Sequence, residues 1–225
     1  MREFTDCAER VAQYWDSIAD RYLHLFRYEF ETKPYDLEVL KTFASSLSSG
    51  SYVCDAGCGP CAHVTRILSD HYLKVVGIDI SPRCVLLAQQ EQPCLKFEVM
   101  NMENMVFADG ELDGLVAYYA LHYQPKSTMN SIVREFARVL RPGGRVLVVA
   151  KQGKGEGWIS DPLGSGKEIF WSALQPEELQ SLFLENGFVS ANCTMREPLS
   201  DEIPVPRIYM TAERVCSGAS SEKRF

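Results

Sequence analysis

The stretch YVCDAGCGPCAHVTRIL, Tyr52 to Leu68, admits three chemistries. Cys58-Gly59-Pro60-Cys61 has the C-x-x-C spacing of a redox dithiol. Cys54, Cys58, Cys61 and His63 form a candidate set of metal ligands. Gly57-x-Gly59-x-x-Ala62, between an apolar run and a helical pattern, is a candidate nucleotide cradle. The first two readings explain few residues. C-x-x-C is a weak signal without its own fold, and the strand pattern downstream is far longer than a thioredoxin-like core. Structural zinc usually draws its ligands from two separated pairs, whereas Cys54 falls on a buried strand and His63 inside a helix. Free cysteine also serves as a small core hydrophobe.

The cradle reading explains more. Gly57 and Gly59 carry no Cβ, so the chain turns tightly and its backbone can approach a ligand. The helix that follows presents free N–H groups and the positive end of its dipole. Asp79, at the end of the next strand and 24 residues after Asp55, is placed to accept hydrogen bonds from both ribose hydroxyls. The loop alone also fits an NAD-binding domain. Asp55 discriminates, because an acid directly before the glycine turn disfavours a pyrophosphate and suits a ligand with a positive charge there.

Outward from this loop, strands and helices alternate. YVCDA, KVVGIDI, LKFEVM, LDGLVAYYA and RVLVVA read as five strands. Helices are expected over 61–70, from Ser81-Pro82 onward and over 127–140, with RPGG breaking the chain before the fifth strand. This predicts a parallel sheet covered on both faces. Val11, Tyr14, Trp15, Ile18, Tyr22, Leu25 and Phe26 recur at helical spacing within 8–31, and a second helix is expected over 36–47. Residues 151–171 read as a long glycine-rich loop, and a helix at 175–186 ends at Gly187. FVSANCTM and RIYMTAERV are two further strands, joined by a short proline-containing connection that forces antiparallel pairing. The expected fold class is therefore α/β: a Rossmann-like, seven-stranded, mostly parallel sheet with helices on both faces, the last strand antiparallel, and an N-terminal helical cap. Residues 1–216 are expected to form a single domain, with 1–48 as the cap and 49–216 as the core; 217–225 are expected to be a disordered tail.

These motifs together resemble the class I S-adenosylmethionine-dependent methyltransferases, from about Tyr14 to Arg214. VCDAGCGPCAHVTRIL is similar to their first motif and VVGIDIS to the second. NMENMVFADGELDGLVAYYALHY is similar to their third and fourth strands, and REFARVLRPGGRVLVVA to their helix, turn and fifth strand. YWDSIADRY resembles the N-terminal capping helix of small-molecule members. Two departures stand out: Cys61 replaces a common third glycine, and Asn101 replaces an Asp that often receives the adenine amino group, a role an amide oxygen can also fill. The resemblance implies S-adenosylmethionine as cofactor, with Asp55 and Gly57 against its methionine part, Gly59 in the same loop, Asp79 on the ribose, Ile80 beside the adenine, Met102 packed on it, and Asn101 at its amino group. The acceptor side falls beyond the same strand ends. There Tyr118, Tyr119 and Tyr123 are candidate pocket residues and His122 a candidate general base. Tyr14 and Tyr22 are candidate lid contacts at the catalytic centre, and Lys151, Trp158 and Trp171, which border the glycine-rich loop, are candidate acceptor-pocket residues. No metal is expected.

Composition sets the outer limits. The chain has 225 residues, 46% hydrophobic and 24% charged, with a formal net charge of −7. That charge disfavours broad binding to a phosphate backbone. No apolar run is long enough to span a bilayer, no secretory signal is evident, and eight cysteines without one read as reduced thiols. A cytoplasmic protein is expected, as a monomer or homodimer, acting on a small-molecule methyl acceptor rather than on nucleic acid or membrane. The alternatives are a methyltransferase acting on a protein or tRNA, and a non-catalytic cofactor-binding partner subunit.

Overall fold

The computed structural model describes residues 2–216, with side chains from residue 7; the segment 217–225, expected to be a tail, lies outside the described residues. Two helices open the chain, α1 (Arg2–Phe26) and α2 (Pro34–Ser45), with a 3₁₀ turn at Glu29–Glu31 between them. Alternation then follows the sequence pattern: β1 (Tyr52–Ala56), α3 (His63–Asp70), β2 (Lys74–Asp79), α4 (Pro82–Glu91), β3 (Lys96–Val99), β4 (Leu112–Tyr118), α5 (Lys126–Val139) and β5 (Leu140–Lys151). A hairpin of β6 (Glu156–Ser160) and β7 (Glu168–Ser172) precedes α6 (Pro176–Glu185), β8 (Phe188–Arg196) and β9 (Arg207–Arg214).

The main sheet has seven strands in the order β3-β2-β1-β4-β5-β9-β8. The first five in this order pair in parallel, and β9 pairs antiparallel with both β5 and β8. This is a Rossmann-like sheet with its last strand reversed. Period-two alternation divides the strand side chains between two cores. Val53, Val116, Leu147 and Val149 pack with Leu40 and Phe43 of α2 and Leu68 of α3. Cys54, Leu115, Val146 and Val148 pack on the other face with Ile132 and Phe136 of α5 and Phe183 of α6. Strand order reverses direction between β1 and β4, so the chain leaves these neighbours toward opposite faces and opens a crevice beyond their carboxyl ends.

Two expectations differ from the structure. RPGG does not interrupt the chain: β5 is continuous from Leu140, and the extra residues are absorbed as a register shift against β4 between Leu112 and Gly114. The segment 151–171 is not an irregular loop, because Glu156–Ser160 pairs antiparallel with Glu168–Ser172. Its glycines lie at the connections and within short strands whose register is fixed by packing on α1, where Tyr14, Ile18 and Ile169 form one cluster.

Candidate functional site

A cavity of about 510 Å³ lies beyond the carboxyl ends of β1, β2, β4 and β5. At its floor the chain turns from β1 into α3. Gly57 and Cys58 both donate their N–H to Ile78 O, at 2.8 and 3.0 Å, which ties the turn to β2. Gly57 has φ +85°, and a Cβ there would lie 2.4 Å from the Cβ of Ala120, just after β4. The absence of a side chain therefore lets β1 and β4 close on each other at the crevice. Gly59 also has positive φ, and nothing lies within 4 Å of a Cβ built there. Since Gly59 lines the cavity, a side chain would fill the cradle itself. The strained position that follows is Ala62, with φ 53° as the N-cap of α3, and not Cys61.

Two carboxylates face this cradle. Asp55 is fully buried; its Oδ2 accepts from Thr65 Oγ1 at 2.6 Å, while Oδ1 has no partner. Burial pushes its pKa up to about 7, against the hydrogen bonds from Thr65 and with help from the nearby Asp79 charge. Asp79 accepts from the Gly59 N–H at 3.0 Å and from the Ser81 N–H at 2.9 Å. Burial raises it to about 6 despite those bonds. It is thus already part of the loop's framework. Ile80, Asn101 and Met102 line the same cavity. Asn101 Oδ1 accepts from the Glu103 N–H at 2.9 Å, so one lone pair of the oxygen expected to meet an adenine amino group is taken by a local turn.

The residues fit an aminoacyl-nucleoside cofactor. An unpartnered, buried carboxylate oxygen calls for a cationic donor. The open backbone at Gly59 and the second carboxylate at the next strand end supply the rest of a nucleoside site.

The cysteines serve packing. Cys58 sits in one cluster with Ala88 and Phe97, and Cys61 in another with Leu23 and Leu87. Burial pushes the Cys61 thiol up to about 12, away from the reactive thiolate range. His63 Nε2 lies 2.9 Å from Phe26 O.

The far half of the cavity is aromatic and charged. Tyr14 and Tyr22 reach it from α1, and Tyr118 and Tyr119 from the end of β4. The Tyr14 hydroxyl faces the Asp161 carboxylate across the hairpin turn. Tyr22 packs on Trp15 and Phe26. Tyr118 and Tyr119 donate to Asp36 Oδ1 at 2.7 and 3.3 Å. Tyr119 holds φ 53°, an uncommon backbone for an aromatic residue. Lys151, at the end of β5, also lines the cavity; burial lowers it to about 8, with the Arg207 and Lys33 charges adding.

Three expected site residues lie elsewhere. His122 is fully buried on a 3₁₀ turn and does not line the cavity. Its ring packs 4.3 Å from Tyr123 and 4.9 Å from Trp171, and neither nitrogen has a hydrogen-bond partner. Burial holds its pKa well below the ordinary value, with Lys151 and Arg207 reinforcing the shift. Trp171 stands behind the cavity wall, its ring 4.8 Å from Lys151 Nζ. Trp158 stacks under Arg10 of α1 at 3.6 Å and against Phe170. Conversely, the charged group of Glu29, Lys33, Asp36, Glu202 and Arg207 at the acceptor end was not anticipated. Its members come from two segments, 29–36 and 202–207, that are far apart in sequence; the only local hint was a proline-containing segment with Asp201 and Glu202 running into β9.

Comparison with known proteins agrees with this geometry. Residues 53–144 match the family model described as a methyltransferase domain. A fungal O-methyltransferase from Pyrenophora dematioidea is 26% identical over 174 residues, covering 73% of this chain and 63% of the relative. An S-adenosylmethionine-dependent methyltransferase from Methanosarcina mazei superposes with a TM-score of 0.70 at 20% identity, over 78% of this chain and 97% of that one. The 1,6-didemethyltoxoflavin-N1-methyltransferase of Burkholderia thailandensis, solved with its substrate and S-adenosylhomocysteine, gives 0.61 at 18% identity, over 88% and 90%. Residues 53–144 therefore carry a methyltransferase-domain match, within a sheet that has the fold of these solved methyltransferases, and the cradle described above fits S-adenosylmethionine. The chain spans 63% and 46% of the lengths of the first two curated relatives it matches. No helix among the described residues is long and apolar enough to cross a membrane.

Proposed function

We propose that this chain transfers a methyl group from S-adenosylmethionine to a small-molecule acceptor. The observation that carries this reading is the shape of the cavity: the nucleoside cradle and an aromatic-lined chamber are one space, walled by α1 and the β6–β7 hairpin. Its volume is that of a small-ligand site. The 1,6-didemethyltoxoflavin-N1-methyltransferase named above, whose substrate is a small molecule, supports the same reading.

When bound, the cofactor supplies an electrophilic methyl group on a sulfonium. The chain's residues do the rest by placement. Asp55 Oδ1 is the group to hold the cofactor's ammonium, and Asp79 and Asn101 to orient its nucleoside. Tyr118 and Tyr119, fixed through Asp36, shape the acceptor's seat. Tyr14 and Tyr22 close it from the cap and exclude water; alignment of this kind can supply up to about 7–11 kcal/mol in favourable cases. His122 is assigned a packing role instead of a base role, since its proton affinity is depressed, its nitrogens have no hydrogen-bond partner and it does not line the cavity. Turnover of a labelled methyl group against a panel of small metabolites tests the proposal. Labelling of protein or tRNA fractions in preference to every small molecule would refute it.

A further inference from the structure

Lys151 and Arg207 are Cα partners across the antiparallel β5–β9 pair, so their side chains share one face, with Cβ atoms roughly 4.5–5.5 Å apart. Like charges directly opposite each other repel, and both residues line the cavity, Arg207 fully buried and Lys151 partly buried. The surrounding acids do not resolve the conflict. Glu29 is 2.6 Å from Lys33. Asp36 is 3.1 Å from Arg196. Glu202 is shared among Arg196 at 2.9 Å, Arg207 at 3.2 Å and Lys33 at 3.4 Å. Among the described residues of this cluster, Lys151 is the cation with no carboxylate within salt-bridge distance. Its Nζ meets only ring faces, 4.8 Å from Trp171 and 5.4 Å from Tyr119. Arg207 is 2% exposed; its Nη1 donates to the carbonyls of Ile203 and Val205, and its Nε has no partner. The site therefore holds one cavity-lining ammonium with no anionic partner, next to a buried guanidinium, and lacks one negative charge among the four cations and three acids named here, beneath an apolar wall of Phe30, Tyr118 and Tyr119.

We infer that the acceptor is an apolar small acid whose anionic oxygen group seats on Lys151 Nζ, beside the buried Arg207 guanidinium. This rests on the proposed methyltransferase function and narrows it to a substrate class. A planar hydrophobic body meets the aromatic wall, and the oxyanion supplies the missing charge at the β5–β9 end. A neutral acceptor would leave the Lys151 ammonium unpaired.

The test is isothermal titration of the S-adenosylhomocysteine-saturated protein with benzoate, phenylphosphonate and benzamide. The first titration, of S-adenosylhomocysteine alone, checks the cofactor reading separately: no binding there fails that reading and not the acid site. With the complex formed, benzoate or phenylphosphonate should bind at least about tenfold more tightly than the isosteric amide, the scale of one charge-assisted hydrogen bond. The preferred anion distinguishes a carboxylate from a phosphonate acceptor. Lys151→Met should lose this preference while S-adenosylhomocysteine affinity stays within about twofold, and Lys151→Arg should retain it. Equal binding of benzamide and benzoate by the wild-type complex, binding of neither anion, or an undiminished preference in Lys151→Met would overturn the inference. The wild-type comparison decides the matter even if the Met variant does not fold.

Discussion

Replacing Gly57 by alanine tests the crevice most directly. The new Cβ would sit 2.4 Å from the Ala120 Cβ, more than an ångström inside the usual separation of about 3.5–4.0 Å between carbon atoms. Overpacking of this kind costs about 1–3 kcal/mol. The φ of +85° adds roughly 1–2 kcal/mol for any residue with a Cβ. Gly57→Ala should therefore destabilise by about 2–5 kcal/mol. The two contributions separate in a double-mutant cycle. Ala120→Gly alone costs about 0.5–1 kcal/mol through backbone entropy. In combination it removes the clash and leaves the φ cost, so the pair should show a favourable coupling of about 1–3 kcal/mol. Urea unfolding of the four proteins gives the cycle. S-adenosylhomocysteine titration should follow the same order, with the double variant binding better than Gly57→Ala. Additivity within about 0.5 kcal/mol would show that Gly57 is not where β1 and β4 close, and the account of the cradle would fail.

The raised pKa values of Asp55 (about 7) and Asp79 (about 6) make stability pH-dependent. Their folded values exceed the unfolded ones, so this stability is full below about pH 4 and lost as pH rises through 6–7. Asp55→Asn should flatten that fall in a thermal scan and abolish the tightening of S-adenosylhomocysteine binding expected as Asp55 ionises between pH 5 and 8. His122 acts in the opposite direction: its folded pKa is depressed, so its contribution is present above about 6.5 and lost as pH falls below that. His122→Phe should keep or raise the melting temperature near pH 7 and remove this acid loss; a fall of several degrees at pH 7 would show that the imidazole is needed there. Trp158→Ala should destabilise the hairpin by about 1 kcal/mol through the lost Arg10 stacking. It should leave S-adenosylhomocysteine affinity unchanged, as calorimetry can check.

The cradle was legible in the sequence because its determinants are local. Asp55, Gly57, Gly59 and Asp79 belong to one β-α-β unit, and each is required by backbone geometry or by the charge of what binds. The β6–β7 hairpin was not. Five glycines between 153 and 166 hide two five-residue strands whose pairing depends on Ile169 packing against α1. The fate of His122 followed from the same gap. A histidine after β4 reads as a candidate base until Trp171, from the unforeseen hairpin, covers it. The charged cluster was illegible for another reason: Lys33, Asp36, Glu202 and Arg207 meet only after the sheet has brought α2 and β9 side by side.

The division of the cavity wall between chain segments has an evolutionary consequence. The cofactor end draws its residues from 53–144, the part that the family model covers. The acceptor end shares Tyr118 and Tyr119 with that range but takes the rest of its wall from α1, the 3₁₀ turn at Glu29–Glu31, Lys151, the hairpin and the Glu202–Arg207 segment, all outside it. Selection can therefore act on the two ends separately. Under the proposed function, drift in the flanking segments would change what is methylated while the methyl donor stays the same. Similarity searches then detect ancestry through the half of the pocket that carries the least information about substrate.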